Sequence, residues 1–430
     1  MTFAINHPIK ILVIFGLLLR IFVVLFYNHI NIFPDSGGYM ELAKLLSEAN
    51  LSGYHGQRSP GYPMLLILAN NQLFIAIGMQ LLIGILTSVL VYKNFQLLNF
   101  SARTAMLYTL FLNSFLHVIF YEISILTESL TLFFIVLICN YLLKSQNKNT
   151  SKKWLLLSLL FAYLVLIKPF YIFLPFLVYG FSVFKNFKLR QIFGKEVLIL
   201  IFPLIAFTGW SYVNKVNTGY FVPTTFYGYN LAQNCVWFAE KSPKEYQEIS
   251  AIYVKNREKS IQDNKNISMA IWESYDELKE KTGLSFADLS AELNNFSSAT
   301  IKANPTDYLK QVLTSWLDFW KTDISWKIDY FRFGSATVFA FIWDLQHYVL
   351  RLFKVAFLLN IPFLCYIFIR KRKITPEIVF ATFVIVTSFL QAFATYGTNS
   401  RFSFPFEFLM VMVVALQTKR IHLTLKKRKN

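Results

Sequence analysis

The chain has 430 residues, of which 55% are hydrophobic and only 15% are charged. A soluble domain is about 45–50% apolar and about 25% charged, so this composition excludes an ordinary soluble protein and a disordered chain. The net charge of +18 comes from 42 basic and 24 acidic residues. Much of the excess lies in short loops between apolar runs, where it indicates membrane topology, so nucleic-acid binding is not expected.

Cysteine and histidine are too few and too scattered to indicate a metal or redox centre. The three cysteines, Cys139, Cys235 and Cys365, form no C-x-x-C pair, and the six histidines are spread along the chain. This pattern predicts neither a disulfide framework nor a zinc site. The sequence also contains neither a P-loop nor an Asp-x-Asp pair, and we expect no metal and no cofactor.

Apolar runs long enough to cross a bilayer recur along the chain. A membrane-spanning helix needs about 20 such residues. The first run follows Lys10 and has no small-residue cleavage site after it, which favours a membrane span over a signal peptide. The predicted spans are 9–28, 73–95, 104–121, 123–143, 196–213, 347–369, 376–396 and 402–418, with further spans in 154–184.

The stretch 154–184 is predicted to hold two short spans. Basic clusters flank it on both sides, so both flanks should be cytoplasmic and an even number of crossings should separate them. Lys168-Pro169 lies near its middle, where a charge and a helix breaker favour a turn at the outer surface. The total is then about ten spans with both termini in the cytoplasm. The basic markers are Lys10, Lys93, Arg103, Lys144–Lys153, Lys185–Lys195, Arg370–Lys373 and Lys426–Lys429.

These patterns predict an all-α polytopic membrane protein in three parts. Residues 1–213 form a bundle of seven spans, and residues 346–430 form the last spans and a basic cytoplasmic tail. Residues 214–345 carry mixed charge and amphipathic helical patterns without strand alternation, which favours a small helical outer domain. The remaining outer segment, 29–62, is the first outer loop.

The first outer loop contains the clearest candidate for chemistry. Asp35 follows span 1 in Pro34-Asp35-Ser36-Gly37-Gly38, where its carboxylate can lie at the membrane boundary. As a general base it would take the proton of an attacking hydroxyl. The alternative is that Asp35 only caps the helix that follows. Later in the loop, Arg58 could bind a phosphate or could simply face lipid headgroups.

Charged residues inside or beside the apolar runs add to this site. Arg20 lies within span 1, where an unpaired charge is costly, so it is functional or forms a salt bridge. Asp35 and five other charged residues map to the outer face in the predicted topology, a pattern that fits a lipid-borne substrate with a phosphate group. The five are Arg58, Glu122, Glu128, Lys168 and Arg401.

An ordered series of short motifs runs along the chain. They are Arg20, Pro34-Asp35 to Tyr39, Arg58-Ser59-Pro60-Gly61-Tyr62-Pro63, Leu126-Thr127-Glu128-Ser129-Leu130, Lys168-Pro169, Asn217-Thr218-Gly219-Tyr220, Gly228-Tyr229-Asn230-Leu231, Asn304-Pro305-Thr306-Asp307-Tyr308-Leu309 and Arg401-Phe402 with Pro405. In order and spacing, over nearly the whole chain, this series resembles the GT-C glycosyltransferases, and within them bacterial members of the family 39 type. Those enzymes are similar to protein O-mannosyltransferases and to the aminoarabinose transferase that acts on lipid A.

The resemblance implies a transferase of the bacterial inner membrane. It implies a polyprenyl-phosphate sugar as donor and an envelope glycan or lipid as acceptor, with membrane lipids around the protein. Asp35 would be the general base, and Arg58, Lys168 and Arg401 would bind the donor phosphate. Arg20 would be a structural charge. The substrate pocket would contain Tyr39, Tyr62, Glu122, Glu128 and Asn230.

The chain departs from the family pattern at the first loop. Many relatives have two adjacent acids there, whereas Ser36 follows Asp35 in this chain. The chain is also shorter than the protein mannosyltransferases, which favours a glycan or lipid acceptor over a protein. Two other functions stay open, a polysaccharide polymerase and a flippase or transporter of a lipid-linked sugar. Dependence on Asp35 separates the transferase from the transporter.

Overall fold

The computed structural model describes residues 7–146, 148–184, 192–324, 326–397 and 399–429, with the backbone alone for 427–429. Over these residues the chain is all-helical and has no β-strand. Two isolated bridges, Tyr27 to Phe331 and Asn31 to Ser124, join segments at the end of the first helix. The predicted cytoplasmic residues Lys185, Lys188 and Arg190 lie outside the described residues.

The N-terminal part is a bundle of helices that begins at Pro8. The first helix, α1, has mostly apolar residues, and buried Arg20 lies near its C-terminal end. The helices are α1 (Pro8–Phe26), α2 (Pro34–Ser47), α3 (Gly61–Leu68), α4 (Leu73–Leu97), α5 (Ala102–Asn113), α6 (Leu116–Glu122), α7 (Glu128–Lys144), α8 (Ser151–Ile167), α9 (Phe173–Phe184) and α10 (Ile201–Thr218).

The outer segment and the C-terminal part are helical as well. The outer helices are α11 (Tyr227–Gln233), α12 (Gln247–Gln262), α13 (Ala270–Glu273), α14 (Tyr275–Thr282), α15 (Phe286–Ala303) and α16 (Pro305–Phe319). The last helices are α17 (Ala336–Lys371), α18 (Pro376–Ala394), α19 (Ser400–Ser403) and α20 (Glu407–Lys429). The predicted span at 347–369 thus belongs to a longer helix that begins inside the predicted outer domain.

Six helices among the described residues are long and apolar enough to cross a membrane, or seven if the bent pair α5–α6 forms one span. The six are Pro8–Phe26, Leu73–Leu97, Lys195–Thr218, Ala336–Lys371, Pro376–Ala394 and Ser400–Lys426. The other predicted spans fall on shorter helices, since α7 and α8 have 17 residues each. A multi-pass membrane protein is therefore supported, and the count of ten stays a prediction.

The helix break at Lys168 is present as the sequence predicts. The helix α8 ends at Ile167, and Lys168 adopts an extended backbone conformation before the short 3-10 turn Pro169–Ile172. The proline cannot continue the hydrogen-bonding pattern of the preceding helix. The chain then continues as α9, so Lys168 lies at a helix end rather than inside a long helix.

Three clusters of buried apolar side chains hold the molecule together. One joins the membrane helices around Phe161 and Phe406, and a second joins their ends around Tyr62 and Phe120. The third lies within the outer domain, where Tyr229 stacks between Trp272 and Phe286. Close packing of these aromatic rings stabilises the structure. The second cluster includes Tyr39 and Tyr62, which lie beside the candidate site described next.

Candidate active site

Five charged residues from five segments form one cluster at the ends of membrane helices. Asp35 contributes one carboxylate and Glu128 the other, and both bind Arg401. Arg58 also pairs with Asp35, and Lys168 also pairs with Glu128. The sequence predicts all five as site residues, and the fold brings them into direct contact.

Arg401 lies at the centre of this cluster. Its Nη1 donates to Asp35 Oδ2 at 2.9 Å, and its Nε donates to Glu128 Oε1 at 2.9 Å. Its Nη2 lies 2.8 Å from the same Glu128 oxygen. Only the planar guanidinium has enough donors in fixed directions to serve two carboxylates at once. Arg401 comes from the turn α19, just before the last membrane helix.

Asp35 is positioned by the first turn of α2. Pro34 begins the helix and Phe33 is its N-cap residue, so Asp35 is not the cap, and that alternative is wrong. Ser36, the next residue, is fully buried. Its hydroxyl accepts from the Phe33 backbone at 2.9 Å and donates to the Ile125 carbonyl at 2.8 Å. Ser36 thus ties the Asp35 turn to the segment that leads to Glu128.

The guanidinium of Arg58 lies between two aromatic rings. It is 4.8 Å from the ring centre of Tyr39 and 4.3 Å from that of Phe226, a residue of the outer domain. Its Nη2 donates to Asp35 Oδ1 at 2.9 Å. Its Nε is buried and has no hydrogen-bond partner among the described residues. This nitrogen is therefore a donor of Arg58 that no described group uses.

Tight contacts fix the segment that carries Arg58. The Arg58 carbonyl accepts from the Tyr54 hydroxyl and from Trp210 Nε1. Gly61 follows, and a Cβ there would lie 2.4 Å from the backbone nitrogen of Ile167. Only glycine allows this close approach, and it holds the Arg58 segment against the end of α8.

Lys168 and Glu128 form the inner side of the cluster. Lys168 Nζ lies 3.3 Å from Glu128 Oε1 and 4.8 Å from the ring centre of Phe402. Glu128 is fully buried at the start of α7, where a carboxylate also interacts favourably with the helix dipole. A buried carboxylate needs paired cations, and removing such a partner typically costs about 3–5 kcal/mol. The cluster is thus a stable polar centre.

The charges of its neighbours control the protonation of Asp35. Burial alone would raise its pKa, but the charges of Arg401 and Arg58 outweigh burial, and the pKa lies well below its ordinary value. The side chain keeps 32% of its surface exposed, so a substrate can reach it. Asp35 is therefore ionised, and in this state both of its oxygens bind arginine.

Two of the predicted pocket residues, Tyr39 and Tyr62, lie beside the cluster. The Tyr39 ring contacts Arg58 and meets the Tyr62 ring edge-on, with the ring centres 5.1 Å apart. The Tyr62 hydroxyl turns away and donates to Gln80 at 3.0 Å. Tyr39 therefore supports Arg58 directly, and Tyr62 supports Tyr39.

Glu122 does not join the cluster, which corrects its expected place in the substrate pocket. It pairs instead with Arg20, whose Nε and Nη2 donate to the two carboxylate oxygens at 2.7 and 2.6 Å. Both side chains are almost fully buried. Arg20 thus forms the structural salt bridge that was one of its two predicted roles, because burial of either charge alone would be costly.

The place of Asn230 in the substrate pocket stays a prediction. It belongs to α11 in the outer domain and is half-buried. Its side chain makes no hydrogen bond to the charged cluster among the described residues. The outer domain reaches the cluster through Phe226, the N-cap residue of the same helix. No sequence signal distinguished Phe226 from the other phenylalanines among the 45 in the chain.

A second buried polar group was missed by sequence reasoning. His117 Nε2 lies 2.7 Å from Glu407 Oε2, and Lys354 Nζ lies 2.9 Å from Glu407 Oε1. Together with Glu122, His117 and Glu407 line a cavity of about 60 Å³. The signal was available, since Lys354 and Glu407 are charges within apolar runs.

Among the described residues, no group of three or more His, Cys, Asp or Glu side chains converges as metal ligands would. The expectation that the protein needs no metal stays a prediction. The chain matches no protein-family model, and comparison with curated proteins and with solved structures finds no match.

Proposed function

We propose that this protein is a membrane glycosyltransferase that works at the outer face of the membrane. It transfers one sugar from a polyprenyl-phosphate donor to a hydroxyl or amine of an envelope glycan or lipid. The observation that carries the proposal is the contact of one partly exposed carboxylate, Asp35, with two arginines from distant segments, Arg58 and Arg401. Such a site offers a base and a phosphate-binding group at the same point.

The charge of the cluster supports a phosphodiester donor. Three cations, Arg58, Lys168 and Arg401, face two carboxylates, Asp35 and Glu128, which leaves one positive charge in excess. A sugar linked to a polyprenyl phosphate carries one negative charge, so its binding would neutralise the site.

Donor binding would change the partners of Asp35. The donor phosphate would take donors of Arg58 and Arg401 that Asp35 now occupies, because charge-assisted hydrogen bonds to phosphate are strong and often bidentate. The carboxylate would then lose its two cations and gain a negative neighbour, which raises its pKa. Asp35 would become a better base only when the donor is in place.

The proposed reaction is a single displacement with inversion at the anomeric carbon. The acceptor oxygen or nitrogen forms the new bond to that carbon, and its proton goes to Asp35. The bond from the carbon to the phosphate oxygen breaks, and the phosphate gains a negative charge. Arg58, Lys168 and Arg401 stabilise that charge as it develops, the usual role of cations in such transfers.

The resemblance to GT-C glycosyltransferases of the family 39 type supports the same proposal. The proposal includes a location in the bacterial inner membrane, ten membrane spans and cytoplasmic termini. The cluster residues all lie at helix ends that the basic loops predict to be outside. Neither nucleotide sugars nor ATP are found on that side, so a lipid-borne donor is the chemically suitable one.

Mass spectrometry of envelope glycolipids and glycans tests the proposal. A deletion strain is complemented with the wild-type protein, with Asp35→Asn or with Glu41→Gln, at matched membrane abundance. Glu41 is an exposed acid in the same helix as Asp35 and is the matched control. We expect one envelope species to lose the mass of a single sugar in Asp35→Asn, and no change in Glu41→Gln.

Two other results would overturn the proposal. A ladder of shortened chains in Asp35→Asn would indicate a polysaccharide polymerase. A changed envelope in the deletion strain together with a normal one in Asp35→Asn would show that Asp35 is not a base. The protein would then be a flippase or transporter of a lipid-linked substrate, which needs the cations but no base.

A further inference from the structure

The helix α16 exposes a ridge of leucines although it belongs to the predicted outer domain. Leu309, Leu313 and Leu317 follow one another at intervals of four residues and are 59%, 56% and 54% exposed. Residues four apart lie on one face of a helix. The opposite face is buried and includes Val312 and Phe319. A soluble domain rarely exposes such a continuous apolar ridge to water.

Contacts with α18 show how deep α16 reaches. The Ser315 carbonyl accepts from Gln391 Nε2 at 3.4 Å, and Trp316 Nε1 donates to Ser388 Oγ at 3.1 Å. Ser388 lies before the last turn of α18, which is long and apolar enough to span a membrane. Trp316 therefore lies below the outer end of that span, and the C-terminal half of α16 enters the depth of the bilayer.

The surface beside the ridge is apolar in the same way. Trp316 stacks on Phe389, with ring centres 5.7 Å apart, and Phe389 is itself 47% exposed. Phe393, one turn further out on α18, is also exposed. The ridge is thus continuous with the surface that a membrane helix turns to lipid.

The two ends of α16 carry paired charges. At the outer end, Asp307 pairs with Lys241 of the outer domain. At the inner end, the side chain of Lys321 pairs with Asp318. The backbone carbonyl of Lys321 accepts a hydrogen bond from Lys354 Nζ. Non-helical backbone at membrane depth is tolerated where other protein groups make hydrogen bonds to its N–H and C=O groups, as Lys354 does to the carbonyl of Lys321. The long Lys321 side chain can also extend toward the headgroups, which limits how far the helix enters.

We propose that Leu313 and Leu317 contact the acyl chains of the outer leaflet, with Leu309 at the level of the headgroups. The helix α16 is then an interfacial anchor that attaches the outer domain to the membrane surface. This assignment is independent of the proposed transferase activity. It would move the C-terminal half of α16 from the predicted outer domain, 214–345, into the membrane part of the protein.

The anchor is also connected to the charged cluster. The chain that leaves α16 brings Asp323 to Ser400, whose hydroxyl donates to the Asp323 carboxylate at 2.6 Å. Ser400 precedes Arg401, the central cation of the cluster. Lipid contact on α16 would therefore help to keep Arg401 in place.

Depth-dependent quenching tests this placement in the full-length protein. Single cysteines are introduced as Leu309→Cys, Leu313→Cys and Leu317→Cys after Cys365→Ser, because Cys365 is the exposed cysteine and Cys139 and Cys235 are buried. Each is labelled with a fluorophore in phosphatidylcholine vesicles that contain lipids spin-labelled along the acyl chain. The control is Glu280→Cys, an exposed position in α14 of the outer domain.

We expect acyl-chain spin labels to quench position 317 most strongly, position 313 next, position 309 weakly and position 280 not at all. Equal and weak quenching at all four positions, with equal labelling by a membrane-impermeant thiol reagent, would overturn the proposal. Cross-linking of two chains through Leu313→Cys without quenching would also overturn it, since a second copy would then cover the ridge. Because all three leucines are more than half exposed, these substitutions leave the core packing intact.

Discussion

Arg401 and Asp35 form an ion pair of 2.9 Å although 366 residues separate them in sequence. The pair joins the first outer loop to the start of the last membrane helix, and Arg401 also binds the buried carboxylate of Glu128. The chain must therefore complete its membrane fold before the cluster can form. This arrangement makes the candidate site sensitive to small changes at the residues that support it.

Arg401→Lys should lower donor affinity about 10–100-fold, because a lysine cannot serve Asp35 and Glu128 at once and each charge-assisted hydrogen bond contributes about 1.5–3 kcal/mol. Binding of a polyprenyl phosphate to the purified protein measures this effect. Arg332→Lys is the control, since Arg332 is exposed. Unchanged affinity in Arg401→Lys would mean that Arg401 acts only as a positive charge, and equal loss in both variants would contradict a specific role for its guanidinium.

Gly38→Ala should reduce the transfer rate about tenfold or more without lowering stability. A Cβ at Gly38 would lie 3.0 Å from Arg58 Nε and 3.2 Å from Arg58 Cγ, so the arginine must shift. Misplacement of a substrate-binding group by about 1 Å can cost about 100-fold in rate.

The neighbouring glycine supplies a matched control for that substitution. A Cβ at Gly37 meets nothing within 4 Å, and both positions lie in α2. Each alanine should stabilise the helix by up to about 1 kcal/mol. The transfer rates and apparent melting temperatures of Gly38→Ala and Gly37→Ala are compared. We expect a lower rate for Gly38→Ala alone and no lower melting temperature for either variant. A similar rate in both would show that the position of Arg58 does not limit transfer.

Gly84→Ala should destabilise the protein by about 3–5 kcal/mol, the usual cost of breaking a buried ion pair. A Cβ there would lie 1.9 Å from Glu122 Oε1 and 2.5 Å from Arg20 Nη2. Gly78→Ala in the same helix is the control, because its Cβ meets nothing within 4 Å. We expect a clearly lower apparent melting temperature for Gly84→Ala alone, and equal values would contradict a structural role for the Arg20–Glu122 pair.

The pH dependence of transfer should reflect the partners of Asp35. Arg401 and Arg58 hold the pKa of Asp35 below the ordinary value of an aspartate, which is about 3.9. In the wild type, kcat/KM should therefore not fall on the acid side because of Asp35 until the pH is below about 4. Removal of a cation favours the protonated form and raises the pKa. The acid limb of Arg58→Gln should therefore move to higher pH, while Arg332→Gln should keep the wild-type profile. A shift to lower pH would contradict the assignment.

Much of the cluster could be predicted from the sequence because its residues share one topological feature. Asp35, Arg58, Glu128, Lys168 and Arg401 all lie at predicted helix ends on one side of the membrane, and charges at such a boundary gather around a polar site. The break at Lys168-Pro169 was predictable from proline alone. These inferences need only the positions of apolar runs and basic loops.

The remaining features depend on how the helices pack. Arg20 could have paired with Glu122 or with Glu128, and only the close approach of α1 to α4 at Gly84 brings it to Glu122. The contact of Phe226 with Arg58 depends on how the outer domain folds back over the first loop. Asn230 was expected in the pocket because of its motif, and among the described residues its side chain makes no hydrogen bond to the cluster, so its place there stays a prediction.

The most direct test of the central claim is the affinity of purified wild-type protein and Asp35→Asn for a polyprenyl phosphate in lipid nanodiscs. If Asp35 competes with phosphate for Arg58 and Arg401, the variant should bind the lipid about tenfold more tightly while it loses transfer activity, since tenfold corresponds to about 1.4 kcal/mol. Glu41→Gln should match the wild type in both respects. Unchanged or weaker binding by Asp35→Asn would contradict the account.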